Sequence, residues 1–186
     1  MTFPTRPEAF AILTEHTQGE SLLKHALAVE GAMRYYAAWA GEDVEAWGVA
    51  GLLHDFDYER YPSLEDHPFR GAEILRTRGI DEELIQTILS HGDHTGVERT
   101  TPMRRTLFAV DELSGFITAV TLVRPSKKIS DVEPSSVKKK LKDKAFARNI
   151  SREDIRRGAE LLGLSEEEHI ANVLSALKAI APDLGL

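Results

Sequence analysis

The stretch Trp47-Gly48-Val49-Ala50-Gly51-Leu52-Leu53-His54-Asp55-Phe56-Asp57 constrains this chain more than any other. It begins as an apolar helix and ends in two adjacent metal-capable side chains. Burying either group is costly unless it is paired or bound to a cation. Adjacent helical residues point about 100° apart, so both reach one ion only from beside it, near a helix end. A surface His-Asp pair is the plain alternative, and the apolar run before it argues against that.

The remainder of the chain is patterned to surround such a helix. Apolar residues recur with helical spacing almost throughout, and no run reads as a strand. Thr5-x-x-Glu8 resembles a capping box for a first helix ending before Gly19. Ser21 caps a second, reaching about Ala40, with Leu22, Ala26, Val29, Met33 and Tyr36 on its apolar face. A third starts after Asp43. Pro68 opens a fourth, stopped by Gly79, and Asp81 caps a fifth. Pro102 opens a long helix stopped by Pro125. Ser135 to about Arg148 reads as a lysine-rich helix, and Ser151-x-x-Asp154 and Ser165-x-x-Glu168 start two more. The expectation is an all-α fold of eight or nine helices. At 186 residues the chain suits one domain spanning residues 1–186.

The absence of cysteine excludes disulfides, thiolate metal sites and cysteine nucleophiles. A transition-metal site must then use His, Asp and Glu. No run of about 20 apolar residues exists, which argues against a membrane span. The N-terminus, Met1 to Arg6, lacks the apolar core of a signal peptide, so a cytoplasmic location is expected. The net charge of −7 is uneven: residues 124–148 hold nine Lys/Arg against three Asp/Glu, a net +6, leaving −13 for the rest. A basic stretch on an acidic protein is a candidate anion site, and a solvated helix face is the plain alternative.

Metal-capable residues recur on successive helices or at their ends: His25, then His54 and Asp55, then His67, His91 and Asp111. His25 and Asp111 sit on faces expected to be buried. A lone histidine on such a face is more often a satisfied core residue than a ligand. An ordered set of six is what an all-α cage for two metals requires. His94 reads as a loop residue, and His16 and His169 lie on polar stretches with no role assigned.

The order His25…His54-Asp55…Asp111 resembles the HD superfamily of metal-dependent phosphohydrolases. Gly51-Leu52-Leu53-His54-Asp55-Phe56-Asp57 is similar to the segment carrying its His-Asp doublet. His67-Pro68-x-x-Gly71-Ala72-Glu73-Ile74-Leu75 is similar to the segment that supplies a histidine ligand in its two-metal branches. Ala109-Val110-Asp111-Glu112-Leu113 is similar to its last Asp helix. The resemblance covers roughly residues 20–125. The whole chain resembles the small bacterial HD hydrolases of HDIG type, in which the segment after Arg124, here a Lys-rich helical extension over 126–186, belongs to the domain. The Gly-Tyr-Pro signature of cyclic-di-GMP phosphodiesterases is missing, so that substrate is not carried over.

This resemblance implies an HD-type helical domain holding two divalent metal ions, with Fe, Mn, Co, Ni, Zn and Mg all compatible. His25, His54, Asp55 and Asp111 would hold one ion. Asp55, His67 and His91 would hold the other, with Asp55 bridging. The catalytic roles fall to His54 and Asp55, and a water acidified between two cations would attack phosphorus in line. Asp57, Glu73, Asp93 and Glu112 are candidates for orienting the histidines. Arg124, Lys127 and Lys128 follow the Asp111 helix and are expected to grip the substrate phosphate.

The expected function is hydrolysis of a small phosphorylated metabolite or nucleotide. A nucleic-acid partner is disfavoured, because the basic segment offers only Phe146 for base stacking. The alternatives are a non-catalytic metal-binding regulatory module and a di-iron oxygenase built on the same cage.

Overall fold

Helix boundaries in this chain follow the side chains that satisfy free backbone amides. The computed structural model describes residues 3–186; Met1 and Thr2, at the head of the N-terminal stretch read above, lie outside them. Ten α-helices occur among the described residues, and no strand. α1 (Arg6–His16) opens at Thr5, whose amide and hydroxyl both donate to Glu8, each at 2.7 Å. α2 (Glu20–Ala40) opens at Gly19, two residues before the expected cap Ser21, because Glu59 accepts the Gln18 and Gly19 amides from outside the helix. α3 (Val44–Leu53) is capped by Asp43, which accepts from Glu45 and Ala46 at 3.0 Å. α4 (Phe69–Thr77) ends at the left-handed Gly79, and α5 (Glu82–Leu89) is capped by Asp81.

α6 (Pro102–Leu122) keeps its β-branched residues Val120 and Thr121 in the last helical turn. α7 (Pro134–Leu141) is shorter than the lysine-rich helix expected to run to Arg148. The reason lies in tertiary contacts. Phe146 docks edge-on against Phe116 of α6, with ring centroids 5.5 Å apart. Arg152 stacks over the same Phe116 and donates to the carbonyls of Ala147 at 2.6 Å, Ile150 at 2.7 Å and Phe146. A continued helix would have used those carbonyls internally. α8 (Arg152–Leu161) and α9 (Glu166–Ala179) begin at the expected caps Ser151 and Ser165. The tenth helix, the single turn α10 (Ala181–Leu184), is separate because Pro182 has no amide proton with which to continue α9.

Buried apolar side chains from α1 to α10 form one cluster. Each fully buried Leu, Val or Phe in it contributes about 1.5–3 kcal/mol. α2, α3 and α6 form its centre. α3 approaches α2 so closely that a Cβ at Gly51 would stand 2.9 Å from the Val29 carbonyl oxygen, and α8 lies as close to Ala109 of α6 at Gly158. His169, assigned no role from the sequence, is fully buried between α2, α6 and α9. Its Nε2 donates to the Ala109 carbonyl at 2.8 Å, and its Nδ1 accepts from the Tyr36 hydroxyl at 2.7 Å. Burial holds its pKa down at about 4. His16 is buried too, bonded to Ile12 and edge-on to Phe56. No described helix is long and apolar enough to cross a membrane.

Candidate metal centre

This packing brings the ends of α3 and α5, the start of α4 and the middles of α2 and α6 to one cleft. His25 comes from α2, and Asp111 from α6. His54 is the C-terminal cap of α3 and Asp55 follows it in the next turn. His67 precedes α4, and His91 follows α5. His25 Nε2 lies 3.0 Å from Asp111 Oδ1 and 3.2 Å from His54 Nε2. His67 Nε2 and His91 Nε2 are 3.2 Å apart.

Asp55 joins the two groups with different oxygens. Its Oδ2 is 3.4 Å from His54 Nε2 and 3.9 Å from His25 Nε2. Its Oδ1 is 3.1 Å from His67 Nε2 and 3.4 Å from His91 Nε2. His25, His54 and Asp55 form one group able to hold a metal ion, and Asp55, His67 and His91 form another. Asp111 completes the first, with Oδ1 3.5 Å from His54 Nε2.

The imidazoles are aimed by what their far nitrogens touch. His54 Nδ1 donates to the Gly51 carbonyl at 2.7 Å, and His91 Nδ1 to the Ile88 carbonyl at 2.6 Å. His67 Nδ1 donates to Asp57 Oδ1 at 2.8 Å. With Nδ1 carrying the proton, each neutral ring turns the lone pair of Nε2 inward. Asp57 is itself held by the Gly71 amide at 2.8 Å. Only glycine permits this, because a Cβ at position 71 would fall 2.8 Å from the Asp57 carboxyl carbon.

The electrostatics of this donor set favour cations. Burial would lower the His54 pKa, but the adjacent Asp55 and Asp111 outweigh it and hold it raised. Burial likewise opposes protonation of His67, and hydrogen bonds to Asp55 and Asp57 lift it to about 9. Burial would raise Asp55 and Asp111, yet the facing histidines keep both lowered. Inward-facing imidazoles and carboxylates without thiolates fit divalent metals of intermediate or hard character.

Other candidates from the sequence have distinct places. Of the four acids considered for orienting ligands, Asp57 alone touches a metal-capable histidine. Glu73 pairs with Arg70 on the surface. Asp93 is gripped by Arg157 and Arg99, which lower its pKa to about 2. Glu112 lines the cleft and accepts from the Ser151 amide at 3.2 Å; burial and Asp111 push its pKa up to about 7. His94 turns its Nε2 to the His67 carbonyl at 2.8 Å and so braces that segment.

The structure does not bring Arg124, Lys127 and Lys128 to this cleft. α6 runs on for eleven residues beyond Asp111 to Leu122, about 16 Å at 1.5 Å per residue. Lys127 and Lys128 instead line a separate surface pocket with Lys178 and the C-terminal turn. The cleft contains residues the sequence reading missed: Tyr58, Leu64, Phe108, Gly115, Ile150 and Asp154. Phe108 and Gly115 stand three before and four after Asp111, so helical spacing alone put them on its face.

Comparison with known proteins agrees with this geometry. The HD domain family model matches residues 22–115, a span holding all six residues. Ribonuclease Y of Thermosipho melanesiensis is 29% identical over 162 residues, which cover 84% of this chain and 30% of that protein. Ribonuclease Y of Thermotoga petrophila is 31% identical over 139 residues, covering 73% of this chain and 27% of that protein. Ribonuclease Y 2 of Levilactobacillus brevis is 32% identical over 98 residues, or 52% and 18%. The chain thus spans less than a third of the length of these relatives. No solved structure gave a significant match. By its matched span and by the doublet, preceding histidine and closing aspartate within it, the chain belongs to the HD-domain family.

Proposed function

We propose that this protein is a metal-dependent phosphohydrolase that holds two divalent ions and acts on a small phosphorylated metabolite or nucleotide, in the cytoplasm. HD domains are in general metal-dependent hydrolases that bind divalent cations. The observation that carries the reading is Asp55, with Oδ1 toward His67 and His91 and Oδ2 toward His54 and His25. A carboxylate so placed would be able to offer one oxygen to each of two adjacent cations.

When bound, the divalent ions supply Lewis acidity, acidifying water and neutralising phosphoryl charge. The chain's own residues do the rest. His25, His54 and Asp111 would hold the first position, and His67 and His91 the second. Asp57 keeps the His67 proton on Nδ1. Glu112 lines the cleft wall beside Asp111 and is held there by the Ser151 amide.

A second reading follows from the relatives, whose name describes cleavage of RNA; on that reading the bond hydrolysed is a phosphodiester in RNA. The test is metal analysis of the purified protein, then assays of phosphomonoesters, nucleotides and RNA with Mn, Co, Ni and Mg added back. Metal-dependent release of phosphate from a small ester supports the proposal. Bound metal with no turnover of any phosphoester returns the protein to a regulatory module, and substrate-dependent oxygen consumption by bound iron would make it an oxygenase.

A further inference from the structure

The cleft over the two cation positions has a volume of about 520 Å³, within the range of small-ligand sites. Its walls differ in chemistry. On one side, the turn segment between α3 and α4 presents Tyr58 and Leu64. Leu64 is 68% exposed and Tyr58 40%, so both offer uncovered apolar surface beside a polar centre. Tyr58 stands edge-on to the His67 ring, centroids 5.2 Å apart, so this wall begins at the second cation position itself. The other walls include Phe108 and Ile150.

Charge restricts the cleft further. Among the described residues no lysine or arginine lines it. Two arginines that touch its lining residues Asp93, Phe108 and Asp154 are committed to them. Arg99 Nη2 is 2.7 Å from Asp93, and its guanidinium lies 3.7 Å over the Phe108 ring. Arg157 Nη1 pairs with Asp93 at 2.7 Å and with Asp154 at 3.0 Å. Two arginines against two carboxylates leave this rim neutral, and Glu112 and Asp111 continue the wall. One phosphoryl group would be satisfied by cations at the histidines and aspartates, whereas no side-chain cation lines the cleft to take a second phosphate.

We propose that the cleft selects a phosphomonoester with a single phosphate on a largely apolar organic group, which packs against Leu64 and Tyr58. This rests on the hydrolase reading for the fate of the phosphate, and on the cleft's own walls for the rest. Leu64 and Tyr58 are specificity-determining residues, since a substrate face that covers Leu64 removes from water an apolar surface that the fold leaves exposed.

The test separates binding from turnover. Protein loaded with Mn is titrated calorimetrically with 2-phenylethylphosphonate, methylphosphonate and a short oligouridylate, and assayed with 2-phenylethyl phosphate and glycerol 1-phosphate. Both esters release a primary alcohol of similar basicity, so leaving-group chemistry does not decide between them. The phenylethyl compounds should win by at least about tenfold in Kd and in kcat/KM, the usual scale of discrimination by an apolar pocket. Leu64→Ser should shrink both ratios several-fold; the side chain is exposed, so folding is not at stake. Equal binding of the two phosphonates, or ratios unmoved by Leu64→Ser, overturns the proposal, and tighter binding of the oligouridylate does so in favour of RNA. A retained phosphonate preference with no turnover of these or any other phosphoester sinks the hydrolase reading and leaves the apolar wall standing.

Discussion

His67 gives its Nδ1 proton to Asp57 at 2.8 Å and turns its Nε2 to Asp55 at 3.1 Å, so one buried carboxylate aims the ring at another. Asp57→Asn keeps the shape and removes the charge, and the His67 tautomer is then no longer imposed. Metal affinity or activity should fall roughly 10- to 100-fold, the usual cost of losing such an orienting partner. Titration of metal-stripped protein with Mn measures it; unchanged affinity would mean that Asp57 serves packing alone.

Asp55→Asn should be more severe. The amide keeps one neutral oxygen and loses the charge shared by both groups. At least one metal position should empty and phosphoester turnover should disappear while the helices persist. Metal at about a hundred times its Kd stabilises a native state by about 2.7 kcal/mol, and the variant should lose most of that gain. Metal stoichiometry and melting temperature with and without Mn check both halves.

Gly71→Ala reaches the same centre without altering a ligand. The new Cβ would stand 2.8 Å from the Asp57 carboxyl carbon and 3.0 Å from the Phe56 ring. Asp57 must move, at a cost of about 1–3 kcal/mol for an overpacked core. The expected signature is weaker metal binding at the His67–His91 position with the His25–His54 position kept, read as a fall in the affinity of one site with the other unchanged.

Acid stability should report His169. Burial holds its folded pKa at about 4, below the ordinary 6.5, so the unfolded chain binds the proton more readily. Its contribution to stability is therefore complete above about pH 6.5 and lost as pH falls toward 4. His169→Gln should be less stable at neutral pH, through the lost bonds to Tyr36 and Ala109, yet show a shallower decline between those values. Chemical denaturation across that window, wild type against variant, tests it; parallel slopes would place the acid sensitivity elsewhere.

Much of this architecture was written in local order. Capping residues at Thr5, Asp43, Asp81, Ser151 and Ser165 place helix starts, because a free amide is satisfied by a side chain only two or three residues away. Apolar spacing excluded strands for the same local reason. The six metal-capable residues were also legible, since each sits on an apolar helix face or at a helix end. Other positions were decided by partners distant in sequence. α7 stops at Leu141 because Phe146 and Arg152 are drawn to Phe116. His169 lies in the core because Tyr36 and Ala109 satisfy its two nitrogens, although the three residues before it are glutamates.

The sequence by itself determined an all-α chain with His and Asp at recurring helix ends, because periodicity and capping are properties of neighbouring residues. The tertiary structure alone decided that both oxygens of Asp55 face different histidine pairs, and that Leu64, Tyr58 and Phe108 line their cleft. It also decided that Lys127 and Lys128 face another pocket. Those relations depend on how α2, α3, α5 and α6 cross. The crossing is set by close approaches such as Gly51 on Val29, which no local pattern encodes.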